Sequence, residues 1–380
     1  MSEKKERQLN MEVLRIVAML MIITLHYLDK GGVLKEFELK MGLNRNIAWI
    51  IEALCMGSVN VYVLISGYFL SKSEFKWKKV ITLWAQIIFY SWVVEAVYLV
   101  VSGVIFNPIA DFYKDIPIIM PVTCGHYWFA TIYILLYLFF PFLNKGIGVM
   151  DKKQHRLAIA ATLAVFSLWN TFLPFTIPLT DHEGMDICWF VCLYLVAAYL
   201  RKYPEDFKLN RWIYLLISFV SAISAFLLGK GIFILNRFVG KLGGYAKNFY
   251  PYNSIFIFIA SVCLFIFVLK HETKTKAPRW LTNIVLFAST GTFGVYLLHE
   301  HLSIRYLWPR LLKVEEYSET IWFLPHLIGT VLAIFIVGII ADFIRRMFFD
   351  LVVFGVKYQL KLVLGEKFVE KHIEKKSDKE

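Results

Sequence analysis

Charged side chains are scarce in this chain. Asp, Glu, Lys and Arg make up 18% of its 380 residues, against about 25% in soluble domains. Proline and glycine are thin as well, at 11 and 21 residues, which excludes collagen-like and low-complexity chains. The five cysteines, Cys55, Cys124, Cys188, Cys192 and Cys263, are an odd number in apolar settings, so a disulfide-stapled scaffold is excluded. Cys188 and Cys192 share a helix face, yet two ligands fall short of a metal site. A G-x-S-x-G motif is missing, so Ser66 is not read as an acyl-carrying nucleophile. The first apolar run lacks an A-x-A cleavage pattern and carries Glu12, Arg15 and His26, so it is read as a retained span. No internal repeat stands out, which disfavours transporter folds built from duplicated halves.

Apolar and aromatic residues fill the space. They reach 58% and 17%, with 33 Phe, 20 Tyr and 11 Trp. The expected fold is an all-α polytopic integral membrane bundle of about ten transmembrane helices, since each spanning helix takes roughly 20 apolar residues. Runs of that kind lie at 10–28, 47–70, 80–104, 127–143, 157–173, 185–200, 212–228, 250–269, 283–301 and 321–344. The net charge of +12 is dispersed between these runs, so it marks positive-inside loops and no nucleic-acid partner is expected. With the amino terminus inside, the loops carrying Lys72, Lys76, Lys78 and Lys79, and Lys145, Lys152, Lys153 and Arg156, face the cytoplasm. Both termini are then cytoplasmic, in a multi-pass protein of the cell membrane. The expected division is a transmembrane domain over 1–345 and a basic amphipathic tail over 346–380, lying on membrane lipid.

Residues 10–27, NMEVLRIVAMLMIITLHY, say most about chemistry. Arg15 and His26 are eleven residues apart; at about 100° per residue they return to nearly the same helix face. The rise of about 1.5 Å per residue separates them by roughly 16 Å along the axis. Glu12 stands one turn before Arg15 and can pair with it. Charges within a span are costly and normally face a protein interior or a watery cavity. The structural alternative is a buried Glu–Arg pair and a hydrogen-bonded histidine. The outer side also collects His126, His182, His299, His301 and His326, beside Tyr127 and Trp128. In His299–Glu300–His301 the two rings at i and i+2 do not face together on a helix, so no metal is expected there and His299 is read as lining the cavity. Glu95, inside the third run, either faces that cavity or pairs with a basic neighbour.

The pattern E-x-x-R followed by ten residues and His resembles the membrane-bound acyltransferase-3 family. The resemblance continues in GSVNVYVLISGYFL (57–70), HYWFATIYILLYLFFPFLN (126–144), YPYNSIFIFIASVCLFIF (250–267) and FGVYLLHEH (293–301), running from about residue 8 to residue 345. Family members often carry R-x-x-R after the S-G-Y segment; here Lys76 and Lys79 hold that spacing, giving point charges without the bidentate fork of arginine. The resemblance implies an O-acetyltransferase. It would move an acyl group, in particular acetyl, from cytoplasmic acyl-CoA to a hydroxyl of a cell-surface glycan or lipid-linked sugar. His26 would be the general base, with Arg15 and Glu12 completing the catalytic set. Lys76, Lys79 and Arg15 would hold acyl-CoA, and His126, Trp128 and His299 the acceptor. The rivals are a transporter of a small acid or lipid-linked sugar, which also explains an intramembrane Arg and His, and an inactive sensory relative.

Overall fold

The computed structural model describes residues 8–34, 41–103, 112–173, 183–240, 242–271 and 277–364. Among the described residues there is no strand. The helices are α1 (Leu9–Lys30), α2 (Leu43–Cys55), α3 (Ser58–Leu70), α4 (Trp77–Ser102), α5 (Phe112–Ile119), α6 (Trp128–Val149), α7 (Lys152–Leu163), α8 (Trp169–Phe172), α9 (Ile187–Lys202), α10 (Arg211–Val239), α11 (Ile255–Leu269), α12 (Arg279–His299), α13 (Leu307–Leu311), α14 (Val314–Ser318) and α15 (Phe323–Leu364).

Every one of the ten expected apolar runs falls on helix. Among the described residues, seven stretches are long and apolar enough to cross a membrane: α1, α2 with α3, α4, α6, α10, α12 and α15. Three runs fall short for visible reasons. The run at 157–173 is divided by a π turn, Ala164–Leu168, between α7 and α8; such turns insert an extra residue into the helix. The other two make the short helices α9 and α11, of 16 and 15 residues. The chain is a polytopic helical membrane protein.

α1 lies in the middle of the bundle, against α2, α3, α11, α12 and α15. Its buried residues Met11, Leu14, Ala18, Ile22 and Leu25 recur every three or four positions, the period of one helix face. α9 is apolar all round and is buried from Cys192 to Leu200, as such a helix must be. α3 approaches α9 closely at Gly67, where a Cβ would stand 2.9 Å from that of Ala197; small residues let backbones come together where lipid supplies no hydrophobic drive. Two interior polar groups are tied into multiple hydrogen bonds, as favoured where hydrocarbon offers no water to replace a missing partner. Buried Asn60 donates to Tyr252 O at 2.7 Å and accepts from Trp189 Nε1 at 3.0 Å, tying α3 to α9 and to the start of α11. Asp342 of α15, fully buried, accepts from Gln86 at 3.2 Å, Tyr90 at 3.1 Å and Arg345 at 2.9 Å.

The outward faces are apolar. Leu216, Phe219, Val220 and Leu227 on α10, and Ile336, Ile340, Phe343 and Ile344 on α15, are exposed large hydrophobics of the kind lipid tails cover. α15 continues unbroken to Leu364, so the division placed at 345/346 falls inside one helix. The expected amphipathic tail beyond residue 364 lies outside the described residues.

Candidate active site

α1 presents Arg15 and His26 toward its two ends, as the spacing requires. Arg15 Nη1 donates to both carboxylate oxygens of Glu12, at 2.9 and 3.0 Å. Glu12 is buried and Arg15 half-buried, with the guanidinium 6.0 Å from the centre of the Phe69 ring. The Tyr62 hydroxyl donates to the Arg15 carbonyl at 2.8 Å.

Toward the other end, α1 and the end of α12 bring a compact acid–base group together. His26 Nδ1 lies 2.9 Å from His299 Nε2 and 3.2 Å from Glu300 Oε1. The Lys30 ammonium donates to the same Glu300 oxygen. His299 Nδ1 faces the Val295 carbonyl at 2.6 Å. A carbonyl only accepts, so that nitrogen carries the proton, and neutral His299 is left with Nε2 as an acceptor. His26 Nδ1 must then be the donor, shared between His299 and Glu300. Among the described residues nothing meets the Nε2 of His26, which is left with a free lone pair. This is the arrangement of a general base oriented from behind by a carboxylate. Glu300 sits just beyond the end of α12, where burial alone would raise its carboxyl; the facing His26, Lys30 and His299 hold it down, at about 2.

The ligand atoms of His26, His299 and Glu300 all lie within 4.8 Å of one another, close enough for one metal ion. Lys30 already supplies the cation on Glu300, however, and a divalent ion would have to displace it. The set is satisfied as a proton and ammonium network.

His301 points elsewhere, as its i+2 spacing from His299 implies. It joins a second buried group with His126 and Glu95, between α4 and the turn after α12. His301 Nε2 meets Ser91 O at 3.0 Å, Leu302 N donates to His126 Nε2 at 3.1 Å, and Ser303 donates to Glu95 at 2.6 Å. Burial pushes the two histidines down, His126 to about 3 and His301 to about 4, so both are neutral. His126 is thus buried with both ring nitrogens engaged, on Ser91 Oγ, Pro117 O and Leu302 N. His326 is engaged with the Tyr27 hydroxyl at 2.8 Å, and His182 lies outside the described residues.

Trp128 stacks on Tyr252 with ring centres 5.8 Å apart. Between the Arg15 and His26 ends, rings follow one another: Tyr62 against Phe129 at 6.2 Å, Phe129 against Tyr296 at 5.8 Å, and Tyr296 against His299 at 6.4 Å. Lys76 and Lys79 lie exposed at the amino end of α4, a helix that packs on α5, α6 and α12.

Two members of the acid–base group, Glu300 and Lys30, escaped the reading from sequence. Lys30 had a signal, since i+4 from His26 is the same helix face. Glu300 had less, because its place depends on α12 ending at His299.

Residues 8–342 match the family model described as an acyltransferase domain, acyltransferase-3. No curated protein and no solved structure matches the chain.

Proposed function

Because the chain belongs to the acyltransferase-3 family over residues 8–342, we propose that it carries an acetyl group from cytoplasmic acetyl-CoA to a hydroxyl of an extracytoplasmic or lipid-linked carbohydrate, as an O-acetyltransferase of the cell membrane with both termini in the cytoplasm. The observation that carries this reading is the bare Nε2 of His26, with its other nitrogen held by Glu300 at 3.2 Å. A hydroxyl is a poor nucleophile near neutral pH unless its proton leaves as it attacks, and a positioned base is typically worth about 10²–10⁴-fold.

The acceptor oxygen attacks the thioester carbonyl, forming the C–O bond. The C–S bond breaks, and the hydroxyl proton passes through His26 Nε2 to the leaving thiolate. Glu300 stabilises the transient imidazolium, and Lys30 balances the carboxylate while the ring is neutral. Arg15 cannot touch the same carbonyl as His26, because about 16 Å of helix separates them. Its part is therefore to hold the trailing portion of the donor. The aromatic passage through Tyr62, Phe129 and Tyr296 suits the pantetheine arm between the two ends, and the Trp128–Tyr252 stack suits a sugar ring at the outer end.

The test is radiolabelled acetyl-CoA with purified, reconstituted protein and surface glycan. Label should reach the glycan with wild type and not with His26→Ala. Substrate counterflow without acylation would establish the transporter reading instead. In cells, mass spectrometry of surface glycans should show acetyl esters that disappear in a deletion strain.

A further inference from the structure

We propose that Arg201 binds the phosphate-bearing end of the donor at the inner mouth; the assignment rests on acyl-CoA being the donor. Three helix ends meet there: the start of α1, the end of α3 and the end of α9. The close approach at Gly67 seats Arg201 beside Tyr68, with the guanidinium 4.4 Å over the ring centre. Tyr68 is buried and meets Phe69 edge-on at 5.5 Å, and Phe69 is the ring beneath Arg15. Arg15 and Arg201 therefore flank one aromatic pair, at the end of the bundle opposite His26.

Position and charge balance together set Arg201 apart. Arg156 is neutralised by Asp206 at 2.6 Å, and Arg345 and Arg346 by Asp342 at 2.9 and 3.1 Å, whereas Arg211, on α10, faces His271 and stacks on Trp212 and Phe267. Lys152 shares Asp206 at 2.6 Å, and Lys202 is occupied by the carbonyls of Ile147 and Met150. Among the described residues, Arg201 has the Tyr68 ring and no carboxylate. A guanidinium lying over a ring keeps its in-plane N–H fork for an anion, and the fork matches phosphate oxygens two at a time. Coenzyme A carries a pyrophosphate and a 3′-phosphate at the end that stays in the cytoplasm. Arg15, deeper and already bound to Glu12, is left for the arm that follows.

A cation in the last turn of a helix also favours that helix's dipole, so Arg201 has a purely structural role available. The test must separate the two. The full-length protein in nanodiscs is titrated with coenzyme A and with pantetheine, which lacks every phosphate. Wild type should bind coenzyme A at least tenfold more tightly. Arg201→Gln should lose most of that preference while binding pantetheine as wild type does. If Arg201→Gln retains the full preference, the assignment to Arg201 is wrong. Should the variant not fold, arginine modification by phenylglyoxal on wild type reads the same site: coenzyme A should protect Arg201 and pantetheine should not, and equal modification overturns the site. Wild type that ignores coenzyme A altogether overturns the donor reading itself, and the site with it.

Discussion

Glu300 meets His26 on Nδ1, at 3.2 Å, so the carboxylate and the basic nitrogen lie on opposite edges of one ring. In the proposed mechanism the carboxylate steers the base from behind and leaves its front to the acceptor. His26→Gln removes the base while keeping a polar side chain of similar reach. We expect acyl transfer to fall at least 10²-fold, with coenzyme A affinity nearly unchanged because the proposed donor site puts its charges at the other end. Turnover above a tenth of wild type would show that another group takes the proton.

Glu300→Gln tests the carboxylate by its charge. An amide keeps the size of the side chain but neither balances Lys30 nor offsets the imidazolium charge that the proposed mechanism develops on His26. Acyl transfer should drop roughly 10²-fold, as expected for an unoriented base, with coenzyme A affinity nearly unchanged. Turnover near that of wild type would separate Glu300 from the base.

Arg15→Lys keeps the charge and the Glu12 neighbour but replaces a planar fork by a point charge. Turnover should fall tenfold or more, with membrane expression unchanged by quantitative blotting. Near-wild-type turnover would reduce Arg15 to a structural ion pair.

Lys76 and Lys79 are exposed at the start of α4. Changing both to Ala should raise the apparent KM for acetyl-CoA with little change in kcat, the signature of lost uniform binding. An unmoved KM would leave them as positive-inside residues.

Gly294→Ala addresses packing. A Cβ there would stand 2.3 Å from Asp342 Oδ1 and 2.6 Å from the Tyr90 hydroxyl. Overpacking of this kind costs typically about 1–3 kcal/mol, so the melting temperature of the purified protein should fall. An unshifted melt would mean that α12 and α15 separate freely at this point.

Much of the fold is legible because length and hydropathy alone mark a spanning helix, and all ten apolar runs are helical. The three that fall short do so through a π turn or an early end, which periodicity does not encode. Arg15, Glu12 and His26 are legible for a different reason: all lie on one continuous helix, where a spacing of three or eleven residues fixes the face. Glu300 is hidden because its position depends on where α12 stops. Helix periodicity sends adjacent residues to different faces, whereas a residue at the cap follows the turn. Trp128 and His126 are nearly adjacent in sequence, yet one stacks on Tyr252 and the other is buried on Ser91 and Leu302. Only the tertiary structure separates them.

The buried Asp342 has a consequence for how the protein is made. Gln86 and Tyr90 emerge from the ribosome long before the helix that accepts their hydrogen bonds. Until α15 arrives, those two groups face hydrocarbon or stray partners, where unmet polar groups are expensive. A nascent chain halted before Asp342 would hold most of its spans and still be an open bundle. It would be a natural substrate for membrane proteases. Pulse-chase of a chain ended at residue 341 should show rapid decay beside a stable full-length control, making the last helix the checkpoint of biogenesis.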